Sequence, residues 1–224
     1  MRYFPVNLDL RKRPAVVVGG GAVALRKCGS LLEADASITV IAPRLHPALR
    51  ELGEQGRVKL RERTYASGDL AGAAIVFTAT GDLTVDMEVA REAKGLGIPV
   101  DVAGSPDLGT CVSPAVVARG DLIITVSTGG RAPALAGLVR REIEERFGEE
   151  YSAVAALFGA IREKLLTENR GAAYNKCLFE RLAGHDMPHL YRQRAFAEID
   201  RLLLELLGPG YSHAELGVVE KEPE

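Results

Sequence analysis

The stretch PAVVVGGGAVALRK at residues 14–27 constrains the fold more than any other part of this 224-residue chain. Its three consecutive valines favour an extended strand, and the three glycines that follow add backbone freedom and carry no side chains. The residues after the glycines have the character of a helix. A strand, a glycine turn and a helix in this order indicate either an ordinary tight turn or a backbone that approaches a ligand closely.

Short β-branched runs alternate with helical patterns through the first half of the chain. Four runs are predicted to be strands because they are almost continuously apolar, as parallel strands covered on both faces are. These runs lie at residues 15–18, 37–42, 73–80 and 98–103. Because helical patterns separate the first run from the second and the third from the fourth, we expect a Rossmann-like, doubly wound parallel sheet of the α/β class.

The pattern changes in the second half, where a further strand is predicted at 121–128 and a long helix at 129–148. Pro133 suits the first turn of that helix. The chain is then predicted to be helical to about residue 207, with one amphipathic helix at 191–207. We therefore divide the sequence into three parts, a Rossmann domain at 1–113, a dimerisation strand and helix at 114–148, and a helical domain at 149–224.

Composition argues against several classes of function. The 28 basic and 30 acidic side chains give a net charge of -2, without the basic field of a nucleic-acid-binding protein. The sequence has no apolar run of about 20 residues and no amino-terminal signal pattern, so we expect no membrane association. The three cysteines are widely spaced and odd in number, which fits a reducing compartment and predicts a cytoplasmic protein.

No resident metal site is predicted from the sequence. It contains no CxxC pair of the kind that binds zinc or iron–sulfur clusters. His185 and His189 are four residues apart, but Pro188 interrupts the helix that would bring them to one face. Any iron that this protein handles is therefore expected to be a transient substrate.

Residues 19–24 read G-G-G-A-V-A and match the G-x-G-x-x-A fingerprint of dinucleotide-binding proteins. Gly19 would allow the tight turn, and Gly21 would let a pyrophosphate approach the backbone. A small residue at Ala24 would let the helix pack closely on the strand. The helix N-terminus then offers free N–H groups to the phosphates, so the loop that contains Gly20, Ala22 and Val23 is predicted to bind NAD.

The end of the second predicted strand departs from the usual fingerprint. An acidic residue commonly binds the ribose hydroxyls there, whereas this sequence has Pro43 and Arg44. Arg44 either favours the 2′-phosphate of NADP or is a solvated surface arginine. After the next strand, the small or polar residues Thr80, Gly81 and Asp82 are predicted to lie along the cofactor.

Several stretches in order resemble the siroheme synthase amino-terminal family, which comprises precorrin-2 dehydrogenases and sirohydrochlorin ferrochelatases. The most specific is S-T-G-G-x-x-P-x-L-A at 127–136, because a dinucleotide fold alone does not require it. The others are YFPVNLDLRKRPAVVVGGGAVALRK, ITVIAP, FTATGDLTVD and SPAVVARGDLIITV. The sequence resembles a stand-alone form without the methyltransferase domain, so a separate enzyme is expected to supply precorrin-2.

The resemblance implies NAD-dependent oxidation of precorrin-2 to sirohydrochlorin, to which the family often adds the insertion of ferrous iron. It also implies a homodimer in which the segment around 115–147 is exchanged between subunits. The substrate is a polycarboxylate, so arginines and helix N-termini are expected to bind it. Arg131, beside Gly129 and Gly130, is the preferred anchor, and the alternative is a solvated charge near a helix start.

One position departs from the family pattern. Family members commonly place an aspartate, thought to serve both proton transfer and metal insertion, where this sequence has Gly104. Either Asp101 or Asp107 supplies the carboxylate, or the protein keeps the dehydrogenase step and handles metal poorly. The hydroxyl of Thr128 either faces the substrate or satisfies the start of the following helix.

Two other classes of function stay open at this point. A nucleotide-sensing regulatory module would share the glycine loop, although such modules normally keep the acidic residue after the second strand. A different small-molecule reductase that uses NADP would be consistent with Arg44.

Overall fold

A computed structural model of the chain describes residues 2–168 and 172–218. The described chain separates into two compact units. The first unit contains the residues up to Pro114 together with Ser127–Pro133, and the second contains Ala115–Val126 together with the chain from Ala134 onward. The three-part division inferred from the sequence stays a proposal. Among the described residues, no helix is long and apolar enough to cross a bilayer.

A parallel sheet of five strands forms the centre of the first unit, in the order β3-β2-β1-β4-β5. The strands are β1 Pro14–Val18, β2 Ser37–Ile41, β3 Lys59–Arg61, β4 Ile75–Thr78 and β5 Val100–Val102. Val18 at the end of β1 pairs with Ile41 on one side and Thr78 on the other, so these three strands end at the same sheet edge. The predicted doubly wound parallel sheet is confirmed.

Helices cover both faces of this sheet. They are α1 Ala22–Glu33, α2 Pro47–Glu54 and α3 Leu83–Gly95. One apolar cluster joins Val17 and Val40 to Leu31 of α1 and Leu49 of α2. A second cluster on the other face joins β-strand residues such as Val76 to α3. Alternate strand residues therefore feed separate cores, which explains why the strand sequences are continuously apolar.

The second unit combines an antiparallel β-ribbon with helices. Its elements are β6 Ala115–Arg119, β7 Leu122–Val126, α4 Pro133–Arg146 (whose first residue lies in the first unit), α5 Glu150–Thr167, α6 Ala172–Ala183, α7 Met187–Arg192, α8 Phe196–Leu207 and α9 His213–Leu216. Pro133 is the first residue of α4, so this helix begins four residues later than the helix predicted at 129–148. The buried side chains of Leu157, Ile161, Ile199 and Leu203 lie in one helical core.

Several elements differ from the sequence-based expectation. The helix α2 and the strand β6 were not predicted. The strand β3 was not predicted, because its Lys-Leu-Arg sequence is short and lies at the sheet edge. The single helix predicted at 191–207 is in fact two helices, α7 and α8. Arg194 between them has a φ of 54°, a left-handed conformation that ends α7. The apolar residues keep a helical spacing across this turn, so the sequence pattern did not indicate the break between α7 and α8.

A buried carboxylate holds the loop that follows β3, and it gives a prediction for acid stability. Asp69 accepts hydrogen bonds from Arg63 at 2.6 Å, Arg61 at 2.8 Å and the Ala66 amide at 3.0 Å. The hydrogen bond from Arg63 lowers the pKa of Asp69 from 3.8 to about 2. The ionised form therefore stabilises the fold above about pH 4, and this stabilisation is lost as the pH falls towards 2.

We expect Asp69→Asn to lower the free energy of unfolding by about 2 kcal/mol at pH 7 and to have almost no effect near pH 2. Urea unfolding of both proteins between pH 2 and pH 7 measures the difference. Glu54→Gln, which removes an exposed carboxylate, is the control. Its free energy of unfolding should match that of the wild type at each pH. If the difference in unfolding free energy between Asp69→Asn and the wild type did not change with pH, the ionised Asp69 carboxylate would not be the source of the stability.

Candidate functional site

The glycine loop lies at the carboxyl edge of the sheet, between the ends of three strands. The Gly19 amide donates to the carbonyl of Ile41 at 2.9 Å. Gly19 has a φ of 126°, and a Cβ there would lie 2.3 Å from the carbonyl oxygen of Ala79. A Cβ on Gly20 would lie 2.1 Å from the carbonyl oxygen of Arg44. The first two glycines are therefore required by the packing of the protein itself.

Gly21 differs from its two neighbours because a Cβ there would meet no protein atom within 4 Å. Gly21 is also the N-cap of α1, and it provides no side-chain hydrogen bond to the first turn, which contains no acidic residue. The first-turn N–H groups at Ala22 and Val23 thus start an uncapped helix beside empty space. This arrangement fits an anionic group such as a pyrophosphate, and a side chain at Gly21 would occupy that space.

The loop after β2 packs directly on the glycine loop. The His46 amide donates to the carbonyl of Gly20 at 2.7 Å, and the His46 ring accepts from the Ala48 amide and caps α2. Pro43 and Arg44 are both exposed. Arg44 forms no ion pair with any residue that the structure describes. The backbone of Arg44 therefore lies against the glycine loop, with its carbonyl oxygen next to Gly20.

A buried carboxylate, which sequence reasoning missed, organises the loop after β4. Asp86 in the first turn of α3 is 6% exposed and accepts hydrogen bonds from the hydroxyl groups of Thr78 and Thr80. Asp82 caps α3 by accepting from the Thr84 amide at 2.9 Å, and Gly81 has a φ of 76°. These contacts hold residues 80–82 beside Gly19. The sequence signal was an aspartate four residues after an N-cap aspartate.

The two candidate carboxylates after β5 have different environments. Asp101 is 7% exposed, and its Oδ2 accepts from Lys27 Nζ at 2.6 Å and Ser113 Oγ at 2.6 Å. Lys27 Nζ also donates to Ser113 Oγ at 2.7 Å. Lys27 and Ser113 were not predicted as partners because they lie far from Asp101 in the sequence. Oδ2 of Asp101 is thus held by partners inside the first unit, and the carboxylate is nearly buried.

Asp107, in contrast, is an accessible carboxylate. It lies in a short 3-10 turn at Pro106–Leu108, where its side chain is 85% exposed and pairs with Arg2 at 2.6 Å. A Cβ on Gly130 would lie 2.6 Å from the side chain of Pro106. The structure therefore brings the turn that contains Asp107 against the glycine pair of the S-T-G-G segment, and it does not bring Asp101 there.

The remaining predicted residues lie in the S-T-G-G segment. Thr128 Oγ1 accepts from the Ala132 amide at 3.0 Å, just before α4 begins, which corresponds to the second of the two alternatives considered for this hydroxyl. Gly129 has a φ of 63° and faces the ring of Tyr3, and Arg131 is exposed. Gly104 has a φ of 79°, and a Cβ there would meet no atom within 4 Å.

Titratable groups do not gather into a metal site within the described residues. No group of three or more His, Cys, Asp or Glu side chains lies close enough to hold an ion there. The site consists instead of a backbone cradle with nearby arginines and two exposed acidic residues, Asp82, which caps α3, and Asp107. What it can do by itself is therefore bind anions and accept a proton.

Fold and loop geometry together define a dinucleotide-binding protein of the Rossmann class. The model of an NAD(P)-binding family matches residues 6–115, and the model of the central region of a sirohaem biosynthesis protein matches residues 119–146. The two matches follow one another along the chain, as expected of the siroheme synthase amino-terminal family that the sequence motifs resemble. The resemblance inferred from the sequence motifs is thereby confirmed.

Individual relatives agree with this assignment. The chain is 38% identical to a siroheme synthase of Pseudomonas paraeruginosa over 98% of its own length and 47% of that protein. It is 40% identical to a siroheme synthase of Methylobacillus flagellatus over 73% of its own length and 35% of that protein. The chain thus spans about half or less of these relatives. The solved structure of SirC, a precorrin-2 dehydrogenase, matches with a TM-score of 0.67 and 25% identity, over 86% of this chain and 98% of that one.

Proposed function

We propose that this chain oxidises precorrin-2 to sirohydrochlorin with NAD as the hydride acceptor. The observation that carries the proposal is the open space at Gly21, beside an uncapped helix N-terminus at the carboxyl edge of the sheet. Similarity to a precorrin-2 dehydrogenase over nearly the whole of that chain supports the choice of substrate. We place the reaction in the cytoplasm, since the three cysteines are free thiols.

The backbone of residues 19–23 and the loop of residues 80–82 would hold the dinucleotide. When bound, NAD supplies a nicotinamide ring that accepts a hydride from a reduced carbon of the macrocycle. The amides of Ala22 and Val23 offer hydrogen bonds to the diphosphate, and the dipole of α1 stabilises its negative charge. Asp86 fixes the position of Thr80 on the other side of Gly19. The contribution of these residues is binding and orientation.

Oxidation of the macrocycle also releases a proton, for which Asp107 is the better placed acceptor. Its carboxylate is exposed, and its turn contacts the segment that contains Gly130. Arg131 follows Gly130 in that segment, and Arg2 reaches the turn from the amino terminus through its ion pair with Asp107. Both guanidinium groups would bind carboxylates of the substrate. Asp101 is enclosed by Lys27 and Ser113, so we assign it no contact with substrate.

Anaerobic incubation with precorrin-2 and NAD, followed by absorbance of both the macrocycle and NADH, tests the proposal. We expect NADH and sirohydrochlorin to form in equal amounts. NAD binding without turnover would contradict the proposal and would favour a nucleotide-sensing module. In the same assay Asp107→Asn should be slower, whereas Asp9→Asn, which removes another exposed carboxylate paired with an arginine, should match the wild type.

Insertion of ferrous iron into sirohydrochlorin is proposed as a weak second activity, because Gly104 lacks the carboxylate that the family pattern provides. The space around Gly104 can accept a side chain, although its φ of 79° costs about 1 kcal/mol in a residue other than glycine. We expect Gly104→Asp to increase the rate of iron insertion at least about tenfold, as one added acid–base group can. Absorbance of the iron product under anaerobic conditions measures that rate.

Gly72→Asp is the control for this substitution, since Gly72 also has a positive φ of 78° and open space at its Cβ. It should lose a similar amount of stability and gain no activity. Equal rates for Gly104→Asp and the wild type would show that a missing carboxylate does not limit metal insertion.

A homodimer through the second unit is also proposed. The β6–β7 ribbon exposes Val116 and Ile123, which are 47% and 53% accessible, and α4 exposes Leu135 and Leu138. Such apolar faces are typical of protein–protein contacts. We expect Ile123→Glu to convert a dimer to a monomer in sedimentation or light scattering, while Leu204→Glu on α8 should leave the mass unchanged. A wild-type monomer would contradict the dimer.

A further inference from the structure

We propose that Arg44 recognises the 2′-phosphate of NADP, so that the dinucleotide site accepts NADP as well as NAD. This inference rests on the proposed function of the glycine loop, because it concerns the adenosine end of the same ligand. It assigns a specificity-determining role to a side chain that the dehydrogenase reaction itself does not require.

The first observation is the position of Arg44. Its carbonyl oxygen packs on Gly20 so closely that a Cβ there would lie 2.1 Å away, and the His46 amide donates to the Gly20 carbonyl. The loop that contains Arg44 is thus attached to the loop that would bind the diphosphate. In Rossmann folds the ribose next to the adenine lies at the end of the second strand, which is where this loop begins.

The second observation is the absence of a competing acid. The first residue after β2 is Ala42, which is 3% exposed and directs its methyl group towards Gly20. An acidic residue near this position would accept hydrogen bonds from the ribose hydroxyls and would repel a 2′-phosphate. Ala42 and Pro43 can neither accept hydrogen bonds from the ribose through a side chain nor repel a phosphate group. The site therefore lacks the acidic residue that usually excludes NADP.

The third observation is the free charge of Arg44. Arg61 on the neighbouring strand and Arg63 just beyond it are both paired with Asp69, and Arg50 is paired with Glu62. Arg44 is exposed and forms no ion pair with a residue in the described part of the chain. The nearby acids Glu62 and Asp69 are thus already occupied by other arginines. A guanidinium that is free of such a partner can bind a phosphate group with two parallel hydrogen bonds.

The test is calorimetric binding of NADP and NAD, and of the fragments adenosine 2′,5′-bisphosphate and 5′-AMP. The wild type should bind both dinucleotides with dissociation constants within about tenfold of each other. Arg44→Ala should weaken the binding of NADP and of the bisphosphate by about ten- to a hundredfold, which is the contribution of one charge-assisted hydrogen-bonded pair. The dissociation constants of NAD and AMP should change less than about twofold. Arg44→Glu should weaken NADP further.

Arg57→Ala is the matched control, because Arg57 is exposed and lies two residues before β3, at the opposite, amino edge of the same sheet. It should bind all four ligands as the wild type does. A wild type that binds NAD but not NADP would overturn the inference, and so would an equal loss of both dinucleotides in Arg44→Ala. A wild type that binds neither would overturn the proposed function itself, so the two failures are distinguishable.

Discussion

Replacing Gly21 by alanine should weaken NAD binding at least about tenfold and leave the thermal unfolding temperature within about 2 °C of the wild type. The reason is that the added methyl group meets no protein atom within 4 Å but projects into the space that the diphosphate would occupy. Gly21 has a φ of -90°, which alanine adopts without strain. Calorimetric titration with NAD and a thermal melt of the same sample measure both quantities.

Two further glycine-to-alanine variants make this prediction specific. Gly29 lies within α1, with no atom near its Cβ, so Gly29→Ala should keep NAD affinity and raise stability by about 0.5 to 1 kcal/mol. Gly20→Ala forces a methyl group against the Arg44 carbonyl, so it should lower stability by about 2 kcal/mol. If Gly21→Ala bound NAD normally, the diphosphate would not lie at this glycine.

The strand–glycine–helix unit could be predicted from the sequence because its determinants are local. Valines 16–18 define a buried strand, and Gly19 and Gly21 occupy positions where a side chain would collide with the protein or with a ligand. The break at Arg194 was not predictable in the same way. Its left-handed backbone depends on how the flanking helices pack, and the amphipathic period gives no sign of it.

The candidate site was predictable in its loops but not in its polar contacts. Residues 43–44 and 80–82 follow β2 and β4, the two strands on either side of β1, so a correct strand order places them on either side of the glycine loop. The pairing of Lys27 with Asp101 joins residues 74 positions apart, and nothing in either local sequence indicates the other. Spacing alone therefore left Asp101 and Asp107 as equal candidates, although one is enclosed and the other exposed.

The ion pair of Lys27 and Asp101 gives the second large expected effect. Their side chains are only 17% and 9% exposed, and Asp101 also accepts from the Ser113 amide at 3.2 Å. Asp101→Ala leaves an ammonium group buried without its carboxylate, so we expect a loss of about 3 kcal/mol in the free energy of unfolding. Lys27→Met together with Asp101→Ala should cost less than the sum of the single variants. Urea unfolding measures all three.

Asp101→Asn separates this structural role from a catalytic one. The amide keeps the shape of the carboxylate and can still accept from Lys27 and Ser113, but it does not neutralise the Lys27 ammonium group. We therefore expect Asp101→Asn to lose about 2 kcal/mol of unfolding free energy, less than Asp101→Ala, and to remain folded. An asparagine cannot act as a general base. If Asp101 only holds α1, β5 and the Ser113 segment together, the folded variant should oxidise precorrin-2 at close to the wild-type rate with an unchanged pH profile. A stable Asp101→Asn variant whose turnover falls about a hundredfold or more would instead make Asp101 the proton acceptor. That result would require Lys27 to release the carboxylate when substrate binds.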